Sequence, residues 1–327
     1  MSPYPVNLLP DPLPPLNSPE YVELSRKIAR HTGAAAKAPR TFAEALRRRA
    51  ENRYRNLINR IFRELDLAIR QAPTVEAVQQ AISKFIVSPR FDSMCRQAAS
   101  QMVTMLAVGQ KASWREAAAA SSQGRRIYKA LQQELRSTAI GPAVQSVIQQ
   151  NAALIKTVPR TMARKFTALA EKRRFEGVRP EDITKEIRAA AQNLREFEAR
   201  RIARTESAKA STALIKARSE NLGLDFYTWL SVGDERVRSS HRNMNGILCR
   251  WSDPPNPEAL FPGDDSHNSG GCYDPGCIYN CRCRARPVLA PEDIDFPVKV
   301  HVSGSVESIP SLKAFRQRFG LPEEKGD

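Results

Sequence analysis

Proline placement limits what this chain can fold into. Of its 23 prolines, seven lie in residues 1–25, ten in residues 251–327 and only six in the 225 residues between. Proline lacks the N–H that a helix interior or a central strand needs, and its ring clashes with the preceding turn. The long middle, rich in Ala, Arg, Gln and Glu, is therefore expected to be helical, with extended or irregular backbone at both ends. Aromatic residues make up 7% of the chain, which favours helix packing over a β-sandwich. At 327 residues the chain is long enough for a full core, as two domains or as one long domain with arms.

Charge divides the chain the same way. Residues 26–220 hold 39 Lys and Arg against 17 Asp and Glu, a net of +22, while residues 1–25 and 221–327 each carry −3. A field of that size attracts polyanions, duplex DNA first, through release of condensed counterions. A set of solvated basic helix faces is the simpler alternative. No apolar run approaches the roughly 18 residues of a membrane span, so no membrane partner is expected. The start lacks a basic, then apolar, leader, and synthesis in the cytoplasm is expected.

The fold expected is mainly α: an elongated helical body with a small C-terminal α+β Cys-rich module. Residues 1–25 read as a Pro-rich arm, either docked extended in a partner's groove or disordered. Residues 26–222 read as a basic helical domain. Tyr54, Leu57, Ile58, Ile61, Phe62, Leu65 and Ile69 form one apolar stripe at helical spacing. Arg47, Arg48, Arg49, Arg53, Arg55 and Arg60 decorate the same helix and are the candidate DNA contacts. Thr74 can cap the next helix, and further helices are expected around 91–111, 113–138 and 142–155. A helix should start at Arg179-Pro180-Glu181-Asp182, where acids meet the positive end of the dipole, and a long one should stop at Gly223.

Residues 223–290 change character and read as the α+β module. Phe226 to Val232 is the best strand in the chain; a short helix from Asp234 to Met244 and a returning strand at Ile247, Leu248 and Cys249 should follow. Residues 291–327 read as a tail.

Five of six cysteines fall between Cys249 and Cys283. Cys272, Cys277, Cys281 and Cys283, with His241 as nitrogen donor, are candidate ligands for one structural zinc; His267 is a further available nitrogen. Reduced thiols in a small core, or disulfides formed after release, stay open as alternatives. Cys95, on an apolar helical face, reads as core filling. Asp234 and His241 could form an acid–base pair, but Asp234 suits a helix N-cap and His241 shares a face with Val237 and Met244. Neither a phosphate-cradling Gly-rich loop nor a nucleophile motif is present, so no catalytic residues are expected.

Four stretches resemble the phage head morphogenesis family, minor head proteins similar to the F protein of phage Mu. They are Asn151 to Pro159, similar to a helix-opening segment of that family; Arg201-Ile202-Ala203-Arg204-Thr205-Glu206-Ser207; Trp229 to His241 followed by Met244-Asn245-Gly246; and Asn280-Cys281-Arg282-Cys283-Arg284. The likeness covers roughly residues 140–290, in matching order and spacing. Many relatives carry Cys-x-x-Cys where this chain has Arg238 and His241, and His-Pro where it has Ile278-Tyr279. The resemblance implies a non-enzymatic, low-copy head component of a tailed bacteriophage, located in the virion at or near the portal. It also implies the portal protein and major capsid or scaffolding protein as partners, beside non-specific double-stranded DNA. The alternative from another class is a phage-encoded metal-dependent nuclease or toxin-like enzyme fused to a helical domain.

Overall fold

The computed structural model describes residues 40–121, 123–125, 127–129, 141–263 and 271–322. The Pro-rich arm and His267 lie outside the described residues. Five long helices come first: α1 (Arg40–Gln71), α2 (Val75–Ile86), α3 (Pro89–Ala120), α4 (Gly141–Phe175) and α5 (Pro180–Asn221). The stripe read on α1 is the face it buries: Tyr54, Ile58, Ile61, Phe62, Leu65 and Ile69 are all at most 2% exposed. This face packs against α3 and α5, and α4 closes the bundle against α3 and α5. Local chemistry sets the boundaries. The Thr74 hydroxyl accepts the Ala77 N–H at the start of α2, and Ser88 accepts the Phe91 N–H ahead of Pro89 at the start of α3. At the other end of α5, Gly223 turns left-handed at φ 67° and the Leu224 N–H closes on Ser219 O at 2.8 Å.

Three helical expectations change. The break expected near residue 112 is absent, because α3 runs unbroken to Ala120. Gly109 sits under the Leu46 side chain, where a Cβ would lie 2.0 Å from a Leu46 methyl. It is a packing glycine and does not end the helix. The helix expected around 142–155 runs on through Pro159 to Phe175 as α4. The expected Asp234–Met244 helix shortens to α6 (Ser239–Asn243), because the Asp234 carboxylate accepts the Arg236 N–H in a tight turn and pairs with Arg282.

A five-stranded sheet follows, in the order β3-β1-β2-β4-β5: β1 (Phe226–Leu230), β2 (Leu248–Arg250), β3 (Arg284–Pro287), β4 (Val298–Val302) and β5 (Ser305–Ile309). β1 is antiparallel to both neighbours, with Tyr227 opposite Cys249 and Trp229 opposite Ala285. β2 and β4 run parallel, Leu248 opposite Val300. Residues 291–322 are therefore not a separate tail. Val300 and Ile309 are buried, and Phe315 of the last helix, α8 (Leu312–Phe319), packs its ring 5.1 Å from Phe226. Alternation along β1 gives the sheet two covered faces. Phe226 joins Leu248, Val300 and Phe315 on one side, while Tyr227 and Trp229 join Met244, Trp251, Cys281 and Cys283 on the other.

The bundle core sets stability. Ile58→Ala is expected to lower unfolding free energy by about 2–5 kcal/mol, through lost burial plus a cavity. Leu67→Ala, at 59% exposure, should change it by no more than about 0.5 kcal/mol. Denaturant melts of the two variants against the parent protein test the contrast.

Candidate functional site

The segment from Cys272 to Cys283 has almost no regular structure of its own, and two helices hold its backbone in place. From α5, the Thr212 hydroxyl donates to Pro275 O at 2.6 Å and the Thr205 hydroxyl accepts the Asn280 N–H at 3.2 Å. Lys216 reaches Asp274 at 3.2 Å, and Asp274 also accepts the Tyr227 hydroxyl at 3.1 Å. From α1, the Arg47 guanidinium donates to Arg282 O at 3.0 Å and Cys283 O at 3.4 Å. Gly276 is required where the loop presses on α5. Its φ is 86°, and a Cβ there would lie 3.0 Å from Cys283 O and 3.2 Å from the Thr212 hydroxyl. Asn280 takes a left-handed φ of 56°, a conformation asparagine adopts more readily than most residues.

The pinned loop carries Cys281 and Cys283 to His241 on α6. The His241 Nδ1 lies 3.4 Å from Cys281 Sγ and 3.5 Å from Cys283 Sγ, and all three residues are buried. Trp229 on β1 meets the imidazole edge-on at 5.6 Å. On the far side of the ring, Nε2 is 3.2 Å from Glu258 Oε1 and 2.9 Å from the Tyr273 hydroxyl, which itself donates to Glu258 Oε1 at 2.7 Å. Glu258 lies on α7 (Pro257–Leu260).

The two thiols behave as a pair. The Cys283 hydrogen bond and the neighbouring His241 hold the Cys281 thiol well below its ordinary pKa, and Cys283 is pushed up by Cys281 and by burial. The Cys283 N–H also donates to Cys281 Sγ at 3.4 Å, so negative charge is favoured on that sulfur. The Trp229 indole N–H is buried without a hydrogen-bond partner among the described residues.

This donor set fits a zinc-type cation. Bonds of about 2.0–2.3 Å at tetrahedral angles place ligand atoms about 3.5–3.8 Å apart, close to the two imidazole–sulfur separations. A metal on Nδ1 leaves the proton on Nε2, where Glu258 accepts it; a carboxylate behind a ligating histidine is a common orienting partner.

Of the candidate ligands, then, the structure brings His241, Cys281 and Cys283 together. Cys272 is exposed, and Cys277 is half-buried, its thiol pushed up to about 12 by burial and by nearby Asp274 and Cys281. Neither belongs to the close group. Cys95 is fully buried in the bundle, as expected. Glu258 and Tyr273 carry no motif that marks them in the sequence. Among the candidate DNA contacts, Arg48, Arg49, Arg53 and Arg60 are exposed and Arg55 is half-buried, whereas Arg47 is buried against the cysteine loop.

Residues 164–286 match the family model described as Phage Mu protein F like protein. The matched span starts within α4 and includes all of α5, β1, β2 and the whole His–Cys cluster. It supports the resemblance to phage head morphogenesis proteins. A Haemophilus influenzae protein, described only as uncharacterized, is 39% identical over 88 residues. That alignment spans 27% of this chain and 17% of that protein. No solved structure matches the chain.

Gly276→Ala forces a side chain into a left-handed position that is already in contact with α5. Beyond about 1–2 kcal/mol of backbone strain, it is expected to loosen the segment 272–283, read as faster proteolytic nicking there with the bundle intact.

Proposed function

We propose that this protein is a structural minor head protein of a tailed bacteriophage, acting in head morphogenesis at or near the portal, within the virion and in contact with packaged DNA. One observation carries the reading: segments far apart in the sequence that carry the family likeness converge on one buried cluster. Thr205 of the second stretch holds Asn280 of the fourth, and His241 of the third meets Cys281 and Cys283 of the fourth. The family match spans that same cluster. Such an arrangement needs no chemical step; it shapes a module for docking. The portal protein and a capsid or scaffolding protein are the proposed docking partners. Among the described residues no helix is long and apolar enough to cross a membrane. The enzyme alternative, a metal-dependent nuclease or toxin-like protein, has a weaker basis, because His241 is buried at 2% exposure.

Within this reading the cluster holds one structural zinc on His241, Cys281 and Cys283. Cys277, whose thiol feels the charge of Cys281, is the proposed fourth ligand, and Cys272 is dispensable. Elemental analysis of protein purified without chelator is expected to give about one zinc per chain. Cys281→Ser should lose it, Cys277→Ser should weaken retention against a chelator, and Cys272→Ser should behave as the parent. Zinc-free parent protein whose C-terminal module melts cooperatively would leave the thiols as ordinary core.

Head assembly is tested by the composition of particles made with His241→Ala in place of the parent. A structural role predicts fewer copies per head and no change in any DNA cleavage. Normal incorporation together with loss of a metal-dependent nuclease activity would reverse the assignment.

A further inference from the structure

The outward face of α1 is a line of cations. Arg49, Arg53, Asn56, Arg60, Arg63 and Leu67 follow one another at three- and four-residue steps, and all six are exposed. They lie opposite the buried stripe of Tyr54, Ile58, Ile61 and Leu65, so the bundle fixes which way they point. Of the acids of α1 whose side chains are described, none neutralises this line, because each is committed elsewhere. Glu51 pairs with Arg204 at 3.5 Å, Glu64 with Arg90 at 2.6 Å, and Asp66 with Arg70 and Arg195 at 3.1 and 3.0 Å. Among the described residues Arg49, Arg53, Arg60 and Arg63 have no ion pair; Arg53 donates only to the Gln101 side chain, at 3.5 Å.

We infer that this face of α1 is a docking rail for the phosphate backbone of duplex DNA, read without sequence preference. The inference rests on the DNA contact in the proposed function and names the surface that makes it. It lies outside residues 164–286, so the family match does not assign it. From Arg49 to Arg63 the helix rises about 21 Å, at roughly 1.5 Å per residue. One duplex strand carries about six phosphates over that length. Four guanidinium groups, each able to grip a phosphate through two N–H donors, are matched to such a target. The chemistry of the rail separates the alternatives. Single-stranded nucleic acid is bound by stacking on aromatic rings, and this face has none. A protein partner normally buries an aromatic or aliphatic anchor at the centre of its interface, whereas here Leu67 stands alone at one end. Arg47 is excluded from the rail because it is committed to the cysteine loop.

The test uses the full-length protein, a mixed-sequence duplex and affinities measured between about 50 and 200 mM salt. One variant changes Arg49, Arg53, Arg60 and Arg63 to Gln. A second removes the same charge elsewhere, by changing Lys84, Arg160, Arg164 and Lys165 to Gln; all four are exposed, on α2 and α4. A third changes the rail arginines to Lys. The rail inference predicts that the first variant loses about three to four units of the slope of log affinity against log salt. It predicts a loss of about one unit or less for the second and little change for the third. Equal losses from the first and second variants would overturn the rail and leave DNA contact standing as a property of overall charge. A parent protein that does not bind duplex at 50 mM salt would overturn both. Retention of the parent melting temperature by the first variant separates lost contacts from lost folding.

Discussion

The Arg47 guanidinium is the interaction on which the meeting of bundle and cysteine module turns. Buried at 8% exposure, it supplies two N–H donors to successive carbonyls, those of Arg282 and Cys283. A loop with so little apolar surface cannot fix its own backbone, and each carbonyl turned inward must find a donor or raise the energy of the fold. From the opposite helix Thr212 donates to a third carbonyl, that of Pro275, and Thr205 accepts the Asn280 N–H. With the loop held from both sides, the two sulfurs stay beside the imidazole and the imidazole stays beside Glu258. Removing these hydrogen bonds would leave the cysteines on a free segment, whatever metal chemistry they can perform.

Much of this architecture is legible from spacing alone. The stripe from Tyr54 to Ile69, the stop at Gly223 and the strand at Phe226 follow from helical periodicity, left-handed glycine and β-branched or aromatic content. The errors have physical causes. A break is expected near residue 112 because spacing cannot show that α3 runs on past Gly109, a glycine that admits a neighbouring leucine. The hairpin of β4 and β5 is short, with buried and open positions mixed, so its alternation is faint; it is ordered by pairing in parallel with β2, a partner about 50 residues earlier that local pattern cannot reveal.

The candidate site was half legible. His241, Cys281 and Cys283 stand out by residue type, but proximity in sequence also recruits Cys272, which the structure leaves exposed. Glu258 and Tyr273 could not be singled out, because one acid and one tyrosine in an irregular stretch carry no pattern. Arg47 did carry a signal. It precedes Ala50 by three residues and Tyr54 by seven, in phase with the apolar stripe and out of phase with Arg49 and Arg53. An arginine in register with leucines and isoleucines points inward, and there it needs acceptors.

The hydrogen bonds from Arg47 to the cysteine loop join residues 235 and 236 positions apart. A ribosome adds about 5–20 residues each second, so α1 emerges roughly 12–50 s before its carbonyl acceptors exist. Throughout that interval the guanidinium does without these two carbonyls, and for more than half of it α5 has not been made either. The contact between α1 and the cysteine loop therefore closes only when the last third of the chain has been made, and a product truncated before Arg282 lacks it altogether.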